Sequence, residues 1–237
     1  MNPPGDGAKR GLRELKKEET RTLIADTAWR LFADRGFDAV PVAEIAREAR
    51  VSEATVFNYF PRKEDLLYSR LEGFGERLVE AVDSRAAGES VLDAVRRFLL
   101  QPAGMLAQAG AGDHDALTRL RTVNRMVADS PALRAREQRA IADTTAALAA
   151  RLAAETDAPD AEVTSYVTAN ALMGVHRALI DHVRRSVLAD ETPDRLATEV
   201  REYGAKAFAL LAHGLADHGA RPAADHRVRP ADEREGA

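Results

Sequence analysis

The stretch "ARVSEATVFNYFPRKEDLL", residues 49–67, decides how the rest of the chain is read. Ser52 can accept a hydrogen bond from the otherwise free N–H of Thr55, and Val51 with Val56 forms a hydrophobic staple across the same turn, so a helix starts at Ser52. About two turns later Pro61 stops it, because proline has no N–H to donate and its ring crowds the preceding turn. Val56 and Phe60, four apart, face inward. Glu53, Ala54, Thr55, Phe57 and Asn58 are left toward the N-terminal or outer side.

Upstream, Leu23, Ile24, Thr27, Ala28, Leu31 and Phe32 repeat at the spacing of one helical face between Thr20 and Phe37, with Gly36 as the C-cap. Pro41 suits a first helical position, and Val42, Ile45, Ala46 and Ala49 then form a single buried stripe that ends near Arg50. Two short helices joined by a tight turn are a helix-turn-helix, whose second helix enters the major groove N-terminus first. That groove is about 12 Å wide, and small Ser52 and Ala54 let the backbone approach base edges. The plainer reading is a helical corner with no ligand, since Val56, Phe60 and Leu66 are core residues either way. Cap, staple, short helix, Tyr59, Lys63 and a basic arm together favour the DNA-binding reading.

The stretch resembles the TetR family of one-component transcriptional regulators. The resemblance runs from about Thr20 to Leu67, through Ile45-Ala46, Ala49, Val51-Ser52, Thr55-Val56-Phe57, Tyr59-Phe60 and Lys63-Glu64-Asp65-Leu66. It implies that Thr55, Phe57, Tyr59 and Lys63 make operator-backbone contacts and that Glu53, Ala54 and Asn58 read bases. The chemistry suits most of these roles. Thr55 and Tyr59 offer hydroxyl donors to phosphate, and Lys63 puts a charge beside free N–H groups at a helix start, whereas Phe57 can only pack on sugar or a thymine methyl. Glu53 serves either the helix dipole or a cytosine amine. Pro41 stands where the family commonly has a threonine cap, and Arg50 where it commonly has glycine. Arg50 either adopts a left-handed conformation, at about 1 to 2 kcal/mol, or adds a phosphate contact.

Net charge is −4, which at face value opposes phosphate binding, but the excess acid lies downstream: residues 1–70 hold 13 Lys and Arg against 12 Asp and Glu. Lys9, Arg10, Arg13, Lys16 and Lys17 make residues 1–19 a flexible basic arm. No cysteine is present, so disulfides and thiolate metal sites are excluded, and no apolar run suits a membrane span or signal peptide; a cytoplasmic protein with no membrane association is expected.

The fold expected is all-α: a helix-turn-helix DNA-binding domain over residues 20–67, then a larger helical effector-binding and dimerisation domain over 68–217, and a disordered tail over 218–237. The fourth helix is expected to run on through Leu71, Phe74, Leu78 and Val82 to a break at Gly88. Helices follow near Val91 to Leu100, His114 to Ala128 and Pro131 to Glu155, with a mobile loop from Gln101 to Gly112. On the helix 160–188, Ala171, Gly174 and Ala178 form a small-residue stripe flanked by Val163, Val167, Val175 and Leu179. On 195–214, Leu196, Val200, Tyr203, Ala207, Leu210 and Gly214 alternate steps of four and three. These two helices either complete the chain's own core or pair with a second copy as a four-helix bundle, holding two recognition helices one DNA turn apart.

No HExxH motif or helical histidine pair suggests metal or catalysis, so no enzyme, cofactor or metal is expected. The resemblance implies an unknown small-molecule effector. Met105, Met126, Tyr166, Asn170, Met173 and His176 are candidates to line its cavity, each also readable as plain core. The function expected is a ligand-responsive repressor released from a palindromic double-stranded operator; a non-sensing helical DNA-binding or architectural module is the alternative.

Overall fold

The computed structural model describes residues 6–69, 73–155 and 157–214, and these form eleven helices with no strand among them. No helix among the described residues is long and apolar enough to cross a membrane. Helix α1 spans Asp6–Arg35, so the segment expected as a flexible arm is helical from Asp6 onward. Its Leu, Arg, Lys and Glu residues are good helix formers, and the Thr20 hydroxyl donates to the Lys16 carbonyl one turn back at 2.8 Å. Gly36, at φ +83, ends α1 and donates its N–H to the Phe32 carbonyl.

Helix α2 spans Val42–Glu48, with Pro41 as its N-cap residue, one position before the first helical position expected for it. Arg50 is left-handed at φ +57, and the Val51 N–H reaches back to the Ala46 carbonyl at 2.9 Å to close the turn. Helix α3, Glu53–Tyr59, starts where the Ser52 hydroxyl accepts from the Thr55 N–H at 3.0 Å. Helix α4, Lys63–Tyr68, follows Pro61, and the boundary expected after residue 67 falls inside it.

The long fourth helix does not form. Gly73, in the left-handed region at φ +82, starts a separate helix α5 over Phe74–Asp83, while residue 71 lies outside the described residues. Helices α6, Val91–Leu100, and α7, Gly104–Gly110, come next, so the expected loop from Gln101 to Gly112 contains a helix of its own. Then α8, His114–Asp129, and α9, Pro131–Ala153, are capped by Asp113 and Ser130. The last two, α10, Ala161–Leu188, and α11, Pro193–His213, complete the body. The tail expected at 218–237 lies outside the described residues.

Two main cores hold these helices. The first joins Ile24, Phe32, Ile45, Val56, Phe60 and Leu66 of the N-terminal unit to Val123, Met126, Val127 and Leu133 of α8 and α9. The second packs Leu78, Val95, Leu148, Leu172 and Phe208. The N-terminal unit is also pinned by polar contacts: Ser130 Oγ donates to Asp38 at 2.9 Å, Arg136 Nε to Asp65 at 2.8 Å, and the Tyr68 hydroxyl to the Leu133 carbonyl at 3.2 Å. The expected dimer seam divides. Val175, Leu179 and Leu196 turn into the chain's own core, whereas Val163, Val167, Ala171, Gly174 and Ala178 stay exposed on α10.

Candidate nucleic-acid interface and adjoining cavity

Helix α3 buries one side and offers the other. Val56 and Phe60 are buried, while Ser52, Glu53, Ala54, Phe57 and Asn58 are exposed. Thr55 and Tyr59 are half-buried; the Thr55 hydroxyl shares a hydrogen bond with Ser52 Oγ at 2.8 Å, and the Tyr59 ring packs on the first core. The exposed residues therefore share a face beginning at the helix N-terminus. Arg50 lies exposed in the turn just before it, in the left-handed conformation that was one of its two expected readings.

Lys63 is held more tightly than a first-turn lysine needs to be. Its ammonium sits 4.4 Å from the Phe37 ring centroid and 5.8 Å from that of Phe32, and donates to the Asp38 carbonyl at 3.5 Å. Burial pushes its pKa down, opposed by Asp38 and Glu64. The charge is thus positioned by two rings and a carbonyl. A groove beside α3 brings Lys17 and Arg21 of α1 next to Asn58 and Tyr59, with Glu14 and Glu18 on the same wall. Treating the first 19 residues as a free arm hides this arrangement, and only continued helical periodicity in "RELKKEETR" signals it.

Behind the N-terminal unit lies a predominantly apolar cavity of about 650 Å³, within the range of small-molecule sites. Its wall includes Trp29 of α1 and Leu67 and Tyr68 of α4. Of the six residues expected to line it, Met105, Met173 and His176 do so. Met126 instead closes the first core and borders a smaller groove near Phe37. Tyr166 is 58% exposed on the outer side of α10, and Asn170 donates its amide to the Tyr166 carbonyl on that same side, so neither reaches the cavity. The sequence reading missed Trp29, Phe74, Arg136 and Glu137; the one available signal is Arg136, Ala140 and Thr144 repeating every four residues on a single face of α9.

The cavity's polar groups have defined partners or states. The His176 ring stacks on Phe74 with centroids 4.3 Å apart, and burial lowers its pKa to about 4, so it is neutral near pH 7. Glu137 pairs with Arg184 of α10 at 2.5 Å, both well shielded. Burial, reinforced by Glu137, raises the Tyr68 pKa and keeps its hydroxyl a donor to Leu133.

A family model described as bacterial regulatory proteins, tetR family, matches residues 24–69, the unit built around α3. Residues 24–69 are thus a tetR-type regulatory domain. Among curated relatives, the uncharacterized HTH-type transcriptional regulator YuxN of Bacillus subtilis (strain 168) is 35% identical over 83 residues, 35% of this chain and 28% of that protein. The HTH-type transcriptional regulator TcmR of Streptomyces glaucescens is 32% identical over 85 residues, covering 36% and 38%. The chain thus spans well under half the length of these relatives. Among solved structures, native NalD, the secondary repressor of the MexAB-OprM multidrug efflux pump in Pseudomonas aeruginosa, superposes with a TM-score of 0.53 over 81% of this chain and 96% of that one. At 20% identity, this shows a shared all-helical fold.

Proposed function

We propose that the chain is a cytoplasmic, homodimeric transcriptional repressor that binds a palindromic operator through α3 and is released by a small molecule in the cavity. The observation that carries this reading is the shared wall: Trp29 and Tyr68 belong to α1 and α4, which share the first core with Val56 of α3, so an occupant of the cavity presses on the frame of the recognition helix. Dimerisation through 160–188 and 195–214 is supported by the apolar side chains left exposed on α10, Val163, Tyr166 and Val167, beside small Ala171, Gly174 and Ala178. Such pairing would set two copies of α3 about 34 Å apart, the distance of one DNA turn.

The test is a salt titration of the full chain on duplex DNA from upstream of its own gene, with shuffled duplex as the control. Sequence-dependent binding whose affinity falls steeply with salt is expected. Lys63→Gln should weaken binding on both duplexes, whereas Asn58→Ala should narrow the gap between them. Equal, weak binding to both would favour a sequence-blind architectural module. Sedimentation at the mass of one 25.8 kDa chain would remove the dimer.

A further inference from the structure

The charged groups on the cavity wall are already matched within the protein. Glu137 pairs with Arg184 of α10 at 2.5 Å. Arg136 gives its Nε–H to Asp65 at 2.8 Å and lies over the Tyr68 ring. Arg119 pairs with Asp113 at 3.6 Å and keeps part of its surface in water, and Arg77 is engaged as well. The hydroxyls are spent as donors, Tyr68 on the Leu133 carbonyl at 3.2 Å and Thr144 on the Ala140 carbonyl at 2.9 Å. His176 is different. It lines the cavity with its ring face held on Phe74, 14° from parallel, and its ring nitrogens are neither sealed in nor hydrogen-bonded to any described residue. Being neutral, the ring offers one N–H donor and one nitrogen acceptor at its edge.

A wall of this kind selects against charge. An ion of either sign that leaves water for it gives up its hydration and finds each counter-charge already taken. An uncharged molecule avoids that cost and lays its apolar body against Phe74, Met173 and Ile180. A hydroxyl both gives and takes a hydrogen bond, which complements a neutral imidazole. We infer that the cavity takes an uncharged, largely apolar alcohol or phenol whose hydroxyl bonds to His176. This rests on the cavity being the effector site.

Trp29 is the chain's sole tryptophan and lines the cavity, so its emission reports occupancy. At pH 7.5 the full chain is titrated with octan-1-ol, octanoate, octylammonium and 1-methoxyheptane, an isomer of the alcohol that has no O–H, with calorimetry as the second measure. Octanol should bind at least roughly tenfold more tightly than either ion, because an unmatched charge must shed its water, and about three- to tenfold more tightly than the ether, for one hydrogen bond. His176→Phe, which keeps a ring against Phe74, should abolish the margin over the ether while both still bind. An ion bound as tightly as octanol, alcohol and ether bound equally by the wild-type chain, a margin that survives in His176→Phe, or neither heat nor emission change with any probe overturns the inference. The first two are read on the wild-type chain, so the outcome does not hang on the variant folding. Sequence-specific duplex binding with an ion preferred would refute the ligand class alone, whereas an octanol preference without duplex binding would refute the repressor alone.

Discussion

Lowering the pH from 7.5 to 5 should destabilise the folded protein by about 2 kcal/mol through His176 alone. Its pKa moves from 6.5 in the unfolded chain to about 4 in the fold, because burial beside Phe74 disfavours the charged ring. Above pH 6.5 neither state binds the proton, and the full stability is present. As the pH falls through 6.5, the unfolded chain takes up a proton that the folded chain refuses, and stability drains away until the folded pKa is reached. The complete loss is about 3 kcal/mol, with roughly two-thirds of it already incurred at pH 5. Glu44, Glu89 and Glu155, whose pKa values are lowered by arginine partners, also weaken the fold on acidification. A comparison with His176→Phe separates the contributions, since the carboxylates survive in that variant and each protein is referenced to its own stability at pH 7.5. Urea unfolding followed by circular dichroism at the two pH values gives the numbers. If the variant loses as much stability as the wild type, within about 0.5 kcal/mol, the reasoning about His176 is wrong.

Four other outcomes follow from the geometry. Arg50→Gly should raise stability by roughly 0.5 to 1 kcal/mol, because the left-handed strain at φ +57 exceeds the extra chain entropy of glycine; an unchanged urea midpoint would argue against strain there. Ser52→Ala should cost about 1 kcal/mol by leaving the Thr55 N–H without its acceptor, read as a lower thermal midpoint. Gly204→Ala should cost about 1 to 3 kcal/mol, since the new Cβ would collide with Leu100 Cδ2 and force α6 and α11 apart; wild-type stability would mean that Leu100 has room to turn away. A double-mutant cycle of Asp65→Asn with Arg136→Gln should show a coupling of about 1 kcal/mol, and additive effects would mean that the 2.8 Å pair does not tie α4 to α9.

Features fixed by a few neighbouring residues were legible in the sequence. The Ser52 cap, the stop at Pro61, the Gly36 terminus and the left-handed Arg50 each depend on local backbone chemistry. The break between α4 and α5 was not, because Phe74, Leu78 and Val82 continue the apolar phase and Gly73 alone carries the signal. Lys63 was read as an outward charge, but the rings that hold it, Phe32 and Phe37, are more than 25 residues away in sequence. Tyr166 and Asn170 were misassigned for a related reason. Helix α10 has apolar residues on opposite sides, and nothing within it marks which side meets its own chain. The polar half of the cavity, Arg136 and Glu137, was missed because charged residues on a long helix ordinarily point to solvent.

The merging of the first core with α8 and α9 limits how portable the reading head is. A chimera that grafts residues 1–69 onto a foreign body leaves behind Val123, Met126, Val127 and Leu133, opening a void under Phe32 and Phe60. Under the proposed function, recombination between relatives of this kind would exchange operator preference cheaply at the surface of α3. Exchanging the whole head requires that the α8–α9 corner travel with it.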